Sequence, residues 1–153
     1  IDGSTLYVLG ETLGTIPGAS NPGGNTDALV MKYDLSGNQL WIRQFGSSAN
    51  GVGVAGLAAK GGGIHVVGWL GATLAGFDDL GGSDAYLVSL NASGNTTRTR
   101  QFGTQEGDGA YAVAVRSATA PGGPIVVVGS TAGTAWGQLN RGGEDVFMGA
   151  FIP

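Results

Sequence analysis

Short apolar runs, each ended by a glycine, follow one another along the chain. The clearest are residues 6–10, 64–68 and 125–129, and between them apolar and polar positions alternate with a period of two. Such alternation is typical of half-buried β-strands. Glycine interrupts the pattern every six to ten residues, which leaves no room for helices. The pattern therefore predicts an all-β chain of about ten short strands.

Three features of this pattern recur in one order with a period near 58 residues. The first is the apolar run that ends at Gly10, Gly68 and Gly129. The second is an acidic residue that opens an apolar strand, and the third is a hairpin turn followed by a strand ending in Gln-Phe-Gly. The acidic residues are Asp27, Asp84 and Asp145, and the Gln-Phe-Gly sequences are residues 44–46 and 101–103. This order indicates an internal repeat.

Each repeat is predicted to form four short antiparallel strands, an arrangement typical of a β-propeller blade. The chain is then a single propeller segment over residues 1–153, with approximate repeats at 1–50, 51–107 and 108–153. The alanine-rich strands at 56–60 and 112–116 are predicted to be the innermost strands of their blades. Small side chains there would let neighbouring sheets approach.

About two and a half repeats are fewer than the roughly four to eight blades of a closed ring. The chain begins on the second strand of one blade and ends on the third strand of another, and open blades leave strand edges unpaired. We therefore expect an incomplete ring. The sequence is a fragment of a larger propeller, which we favour because both ends fall inside blades, or several copies complete one ring.

Two segments of the repeat have a distinctive sequence: residues 82–95, GSDAYLVSLNASGN, and residues 27–41, DALVMKYDLSGNQLW. In these segments the sequence resembles the SBBP family, a bacterial β-propeller repeat, and the resemblance covers essentially its whole length. The second copy departs from the family pattern at Arg98, where the family has tryptophan. The resemblance implies a propeller in a secreted or cell-surface bacterial protein, with no shared activity and no shared catalytic residues.

The amino-acid composition argues against several classes of function. Glycine accounts for 31 of the 153 residues, yet 42% of the residues are hydrophobic and 12% are charged, so the chain has enough apolar surface to fold. A net charge of −4 and seven scattered Lys and Arg residues argue against nucleic acid as a partner. The absence of cysteine excludes disulfides and thiolate catalysis, and no apolar run approaches the ~18 residues of a membrane span.

Acidic residues form two kinds of candidate site. The three recurring aspartates are expected to accept hydrogen bonds from backbone N–H groups of the glycine-rich segments before them. Asp78, Asp79 and Asp108 lie in acidic loops whose oxygen atoms are of the kind that calcium binds. Neither loop matches a known calcium-loop pattern, so we expect solvated turns there, with calcium as the alternative and no other cofactor.

The remaining candidate binding residues are three tryptophans and the single histidine. Trp41, in the Leu-Trp position of the repeat, is expected to pack between blades, whereas Trp69 is compatible with packing or with ligand binding. Trp136, in the loop after the third glycine-ended run, is the candidate ligand-facing residue. His65 is expected to be packed within its strand, because a histidine without a second histidine or cysteine makes a poor metal site.

Two functions from different classes fit this sequence, and neither needs a catalytic residue. A third, an enzyme with its site at the mouth of the propeller, has no supporting residues in these blades, and only the missing blades could supply them. The first is a non-enzymatic scaffold or protein-interaction module of a secreted or cell-surface protein. One form of this hypothesis places the protein in a surface filament or layer. Its partners would be the remaining blades of the same or a neighbouring chain. The alternative is a lectin-like, carbohydrate-binding propeller. Against that alternative, Trp69 and Trp136 follow their strand-ending glycines by one and seven residues, so they do not occupy equivalent positions.

Overall fold

The computed structural model describes residues 1–19, 25–47, 51–116 and 123–152, and within them the fold is all-β without helix. This confirms the predicted all-β class. The ten strands of the described residues are β1 (Thr5–Thr12), β2 (Asp27–Asp34), β3 (Gln39–Phe45), β4 (Val52–Lys60), β5 (Gly63–Leu70), β6 (Asp84–Leu90), β7 (Thr96–Phe102), β8 (Asp108–Val115), β9 (Ile125–Thr131) and β10 (Asp145–Phe151).

The strands form three open antiparallel sheets in which neighbours in sequence pair with each other. The first sheet has the order β1-β2-β3, the second β4-β5-β6-β7 and the third β10-β9-β8. The turns between β2 and β3 and between β6 and β7 are built alike. Gly37 and Gly94 have φ of 86° and 78°, and the side chains of Asp34 and Asn91 each accept two backbone N–H bonds.

Two apolar clusters hold the sheets together. The first lies between the first and second sheets and includes Val30 and Tyr86, and the second lies between the second and third sheets and includes Leu87 and Phe147. β6 is buried along its whole length because alternate side chains enter opposite clusters. The second sheet is therefore packed on both faces.

The alanine-rich strands are longer than predicted but have the predicted role in packing. They begin at Val52 and Asp108, and Arg116 lies beyond the end of β8. A β-carbon on Gly56 would stand 3.3 Å from the carbonyl oxygen of Tyr111. The small residues of β4 thus allow the backbone of β8 to approach. The predicted repeat boundary at residue 50 lies outside the described residues.

Candidate functional site

An open groove runs along β10 at the free edge of the third sheet. Its volume is about 640 Å³, and its walls include every residue of β10, part of the loop between β9 and β10, and Phe102 of β7. Ala135, Trp136 and Asp145 are among the residues that line it. We call this feature the β10 groove.

The groove is open because β10 has a partner on one edge only. It pairs with β9, and none of the other described strands pairs with its outer edge. Val146 and Met148 of β10 are 81% and 76% exposed. At the corresponding positions of β6, which pairs with both β5 and β7, Ala85 and Leu87 are completely buried. Val146 and Met148 therefore form an exposed apolar surface on the third sheet, whereas the corresponding side chains of the second sheet are buried against the third sheet.

Trp136, the predicted ligand-facing residue, lines the β10 groove. Its side chain is 61% exposed, and its ring centroid lies 5.2 Å from that of Phe147 and 6.3 Å from that of Phe102. Its φ of 48° lies in the left-handed region, which is uncommon for a bulky residue. The indole is thus held by aromatic neighbours while much of its surface remains free to contact a ligand.

The aspartates that open β2 and β6 are buried, and a glutamine from the adjacent strand binds each of them. Gln44 Nε2 donates a hydrogen bond to Asp27 Oδ2 at 2.7 Å, and Gln101 Nε2 donates one to Asp84 Oδ2 at 2.6 Å. Burial raises the pKa of the Asp84 carboxyl above its ordinary value of 3.8, and the bond from Gln101 opposes that rise. We call this arrangement the Asp–Gln clamp.

Each clamp also holds the loop that precedes its aspartate. Oε1 of Gln44 accepts the N–H of Ile16 at 3.2 Å, and Oε1 of Gln101 accepts the N–H of Leu74 at 2.9 Å. The Gln44 side chain therefore ties the end of β3 to the start of β2 and to the loop between β1 and β2, and Gln101 does the same for β7, β6 and the loop between β5 and β6. A primary amide suits this position because it donates and accepts at the same time.

The third recurring aspartate makes only the backbone part of this arrangement. Asp145 Oδ2 accepts the N–H of Arg141 at 2.7 Å, as Asp84 Oδ2 accepts the N–H of Leu80 at 3.3 Å. For Asp84 and Asp145 these bonds agree with the expectation of backbone N–H partners, although the donors are Leu80 and Arg141 rather than the glycines that follow them. The glutamine partners were missed, although the recurrence of Gln before Phe-Gly was visible in the sequence.

The calcium candidates do not form a common site. Asp78 and Asp79 are exposed, as expected of solvated turns. At Asp108 that expectation is wrong: Asp108 begins β8 and is buried, and its Oδ2 accepts bonds from the N–H of Thr104 at 2.6 Å and from its hydroxyl at 2.9 Å. Within the described ranges, no group of three or more acidic or histidine side chains is placed to hold a metal ion. Calcium binding stays the alternative that the sequence left open.

The remaining aromatic candidates and His65 have packing contacts. Trp41 Nε1 donates a hydrogen bond to the carbonyl of Ala92 at 3.0 Å, which places its ring between the first and second sheets as expected. Trp69 is 39% exposed, and its ring centroid lies 6.1 Å from that of Tyr111. His65 is buried as expected, with Nδ1 2.8 Å from the Ser89 hydroxyl.

Acidification below pH 6.5 is expected to destabilise the protein through His65. Burial lowers the pKa of His65 below its ordinary value of 6.5, so the neutral ring is favoured in the folded state. The associated stabilisation is complete above pH 6.5 and is lost as the pH falls through the lowered folded-state pKa. The free energy of unfolding in urea, measured from about pH 8 to about pH 5, tests this expectation.

A His65→Gln variant is the control, because its amide can still hydrogen-bond to Ser89 but does not titrate. Asp84 contributes with the opposite sign: its raised pKa adds stability as the pH falls towards 3.8. The quantity to compare is therefore the difference between wild type and variant at each pH. A difference that stays constant over this range would contradict the expectation.

Comparisons with known proteins add no family to these observations. A scan against protein-family models found no match, and a search of curated proteins found no related sequence. The resemblance to the bacterial propeller repeat therefore stays a prediction. Within the described residues, no helix is long and apolar enough to cross a membrane.

Proposed function

We propose that the chain is part of a β-propeller of the bacterial repeat type and serves as a non-enzymatic scaffold that binds other protein segments. The strand order supports this proposal. The hairpin β2-β3 follows β1 as the hairpin β6-β7 follows β5, and the two hairpins have the same turn. The strands β8, β9 and β10 pair in the same order as β4, β5 and β6. On this proposal the three sheets are successive blades, and the protein acts on the bacterial cell surface or outside the cell.

The observation that carries the proposal is the exposed apolar face of β10. Ala85 and Leu87 of the second sheet are buried in one cluster with Phe147 of the third sheet. Val146 and Met148, at the corresponding positions of the third sheet, are exposed. The third sheet thus covers this face of the second sheet, whereas the same face of the third sheet is open. The open face is suited to bind a further sheet, from the same chain or from a neighbouring one.

Sedimentation of the 153-residue chain tests this function. We expect concentration-dependent self-association, weakened about tenfold or more by Met148→Glu because an unpaired carboxylate would be buried at the contact. Leu13→Glu is the matched control, since Leu13 is 82% exposed and lies in the loop after β1. A wild-type chain that is monomeric at every concentration, or equal effects of the two variants, would contradict the proposal.

A carbohydrate-binding propeller is the second candidate, and the position of Trp136 favours it. Its exposed indole stands in the β10 groove together with Gln138 and Arg141, a combination of an aromatic surface and hydrogen-bonding groups that suits a sugar. Glycan-array binding by the wild-type chain that disappears in Trp136→Ala would favour this candidate. Self-association that depends on Met148, without glycan binding, would favour the scaffold.

A further inference from the structure

Two aspartates lie close together where the second and third sheets meet. Asp84 begins β6 of the second sheet and Asp108 begins β8 of the third sheet, and they are 1% and 3% exposed. A β-carbon on Gly103 would stand 2.9 Å from Asp84 Oδ1 and 2.7 Å from Asp108 Oδ2. The two carboxylates therefore converge on the α-carbon of one glycine, and we call them the carboxylate pair.

Each member of the carboxylate pair has one oxygen atom without a partner. Oδ1 of Asp84 and Oδ1 of Asp108 are buried and accept no hydrogen bond from the described residues. The bonds that the structure shows at the other oxygen come from neutral groups: Leu80 N–H and the Gln101 amide for Asp84, and the N–H and hydroxyl of Thr104 for Asp108. A buried carboxylate oxygen without a donor is costly, and a bound cation removes that cost.

The negative charges of the carboxylate pair repel each other. Burial raises the pKa of the Asp84 carboxyl, and the carboxylates of Asp79 and Asp108 raise it further. Asp79 is exposed, so water screens its charge, whereas Asp108 is buried. Two neighbouring buried carboxylates stay ionised together only when a positive charge lies beside them.

The junction of the first and second sheets has an apolar residue in place of the second carboxylate. Val52 N–H donates to the carbonyl of Thr26 at 2.9 Å, and Asp108 N–H makes the same bond to the carbonyl of Ser83 at 2.7 Å. Thr26 and Ser83 directly precede the aspartates of the two Asp–Gln clamps. Val52 therefore occupies at one junction the place that Asp108 occupies at the next. Being apolar and 1% exposed, Val52 needs no polar partner, whereas Asp108 does.

The two loops that carry the carboxylate pair are held against each other. The Ser83 hydroxyl donates to the Asp108 carbonyl at 3.2 Å, and a β-carbon on Gly82 would stand 2.4 Å from the carbonyl oxygen of Glu106. Carbonyl oxygens of one loop thus lie against the other loop. Calcium accepts about six to eight oxygen ligands in irregular arrangements, including carboxylates and carbonyls, whereas magnesium retains several waters, which a buried site does not accommodate. The chemistry of the junction therefore favours calcium.

We propose that the carboxylate pair binds one calcium ion between the second and third sheets, with Asp84 Oδ1 and Asp108 Oδ1 as the anionic ligands. Carbonyl oxygens of the two loops and water complete the coordination, and the ion joins β6 to β8. Of the calcium candidates in the sequence, only Asp108 belongs to this site. Two carboxylates make a weak site, with a dissociation constant of about 0.1–1 mM, as in extracellular calcium-binding modules. The inference goes beyond the scaffold function and does not depend on it.

Isothermal titration calorimetry of the full chain with calcium chloride, after treatment with EDTA and desalting, is the direct test. We expect one calcium ion per chain and magnesium binding that is weaker by about tenfold or more. Asp108→Asn should weaken calcium binding about tenfold or more, because it removes one charge and keeps an oxygen that can accept the Thr104 N–H. Asp27→Asn is the matched control, since Asp27 is 3% exposed and bound by Gln44 but has Val52 beside it.

Thermal unfolding separates loss of the site from loss of folding. In about 5 mM calcium the wild-type midpoint should rise by about 3–8 °C, and that of Asp108→Asn should not rise. In EDTA, Asp108→Asn should unfold at no lower temperature than wild type, because it removes one of two opposing buried charges. Asp108→Val, with the side chain that Val52 has, is the second variant and should lose calcium binding equally. Absence of calcium binding by the wild-type chain, equal affinity for calcium and magnesium, or equal losses for Asp108→Asn and Asp27→Asn would overturn the proposal.

Discussion

Gly68→Ala is expected to destabilise the protein by about 3 kcal/mol, the upper end of the usual cost of overpacking. A β-carbon on Gly68 would stand 2.0 Å from the carbonyl oxygen of Gly53 and 2.9 Å from the Tyr86 hydroxyl. The first of these atoms belongs to the backbone of β4 and cannot turn aside. Displacing it also breaks the 3.1 Å hydrogen bond from the buried Tyr86 hydroxyl to Gly53. Urea unfolding followed by tryptophan fluorescence measures the loss.

Gly10→Ala is the matched control, because Gly10 ends the corresponding apolar run of the first repeat. No atom lies within 4 Å of the position that its β-carbon would take. Since glycine within a strand costs about 0.5–1 kcal/mol relative to alanine, this variant should be unchanged or slightly more stable. Equal losses for Gly10→Ala and Gly68→Ala would show that the close approach of Gly53 is not the cause.

Gln101→Ala is expected to destabilise the protein by about 2–3 kcal/mol, because it removes the charge-assisted bond to a buried carboxylate. Asp84 is 1% exposed, and the Leu74 N–H would lose its acceptor at the same time. The pKa of Asp84, already raised by burial, should rise further without the glutamine. The unfolding free energy near neutral pH is the measurement, and the loss should shrink as the pH falls and Asp84 becomes protonated.

Gln105→Ala serves as the control for this variant. Gln105 is exposed, so its truncation should change stability by less than about 0.5 kcal/mol. An Asp84→Asn, Gln101→Ala double variant adds a second check, because removal of the charge should recover part of the loss. A Gln101→Ala loss that is independent of pH, or no larger than that of Gln105→Ala, would contradict the role of the clamp.

Strands and turns were predictable from the sequence because their causes are local. The turn after β6 needs a residue with positive φ, which Gly94 supplies, and a side chain that accepts neighbouring N–H groups, which Asn91 supplies. The strand starts were less accurate: β8 begins at Asp108, four residues before the predicted 112–116 strand. Glycine at 109 concealed that start, since glycine is also a turn residue.

The candidate site was predictable only in part. Trp136 was singled out because it lies in a loop after a glycine-ended run, and it lines the β10 groove. The groove itself was not predicted, because the exposure of Val146 and Met148 depends on whether another sheet packs on their face of β10. The partnership of Gln101 with Asp84 was missed because it joins positions 17 residues apart.

The sequence by itself determined the all-β class, the positions of the turns and the packed state of His65, since side-chain alternation and glycine placement act over a few residues. It did not distinguish Gly10 from Gly68 or Asp145 from Asp84, which occupy the same places in the pattern. Only the tertiary structure separated them: Gly68 lies against the backbone of β4, and Asp84 is bound by a glutamine of β7. Crowding and hydrogen bonding there come from strands distant in sequence, so their effects appear only when the sheets have formed.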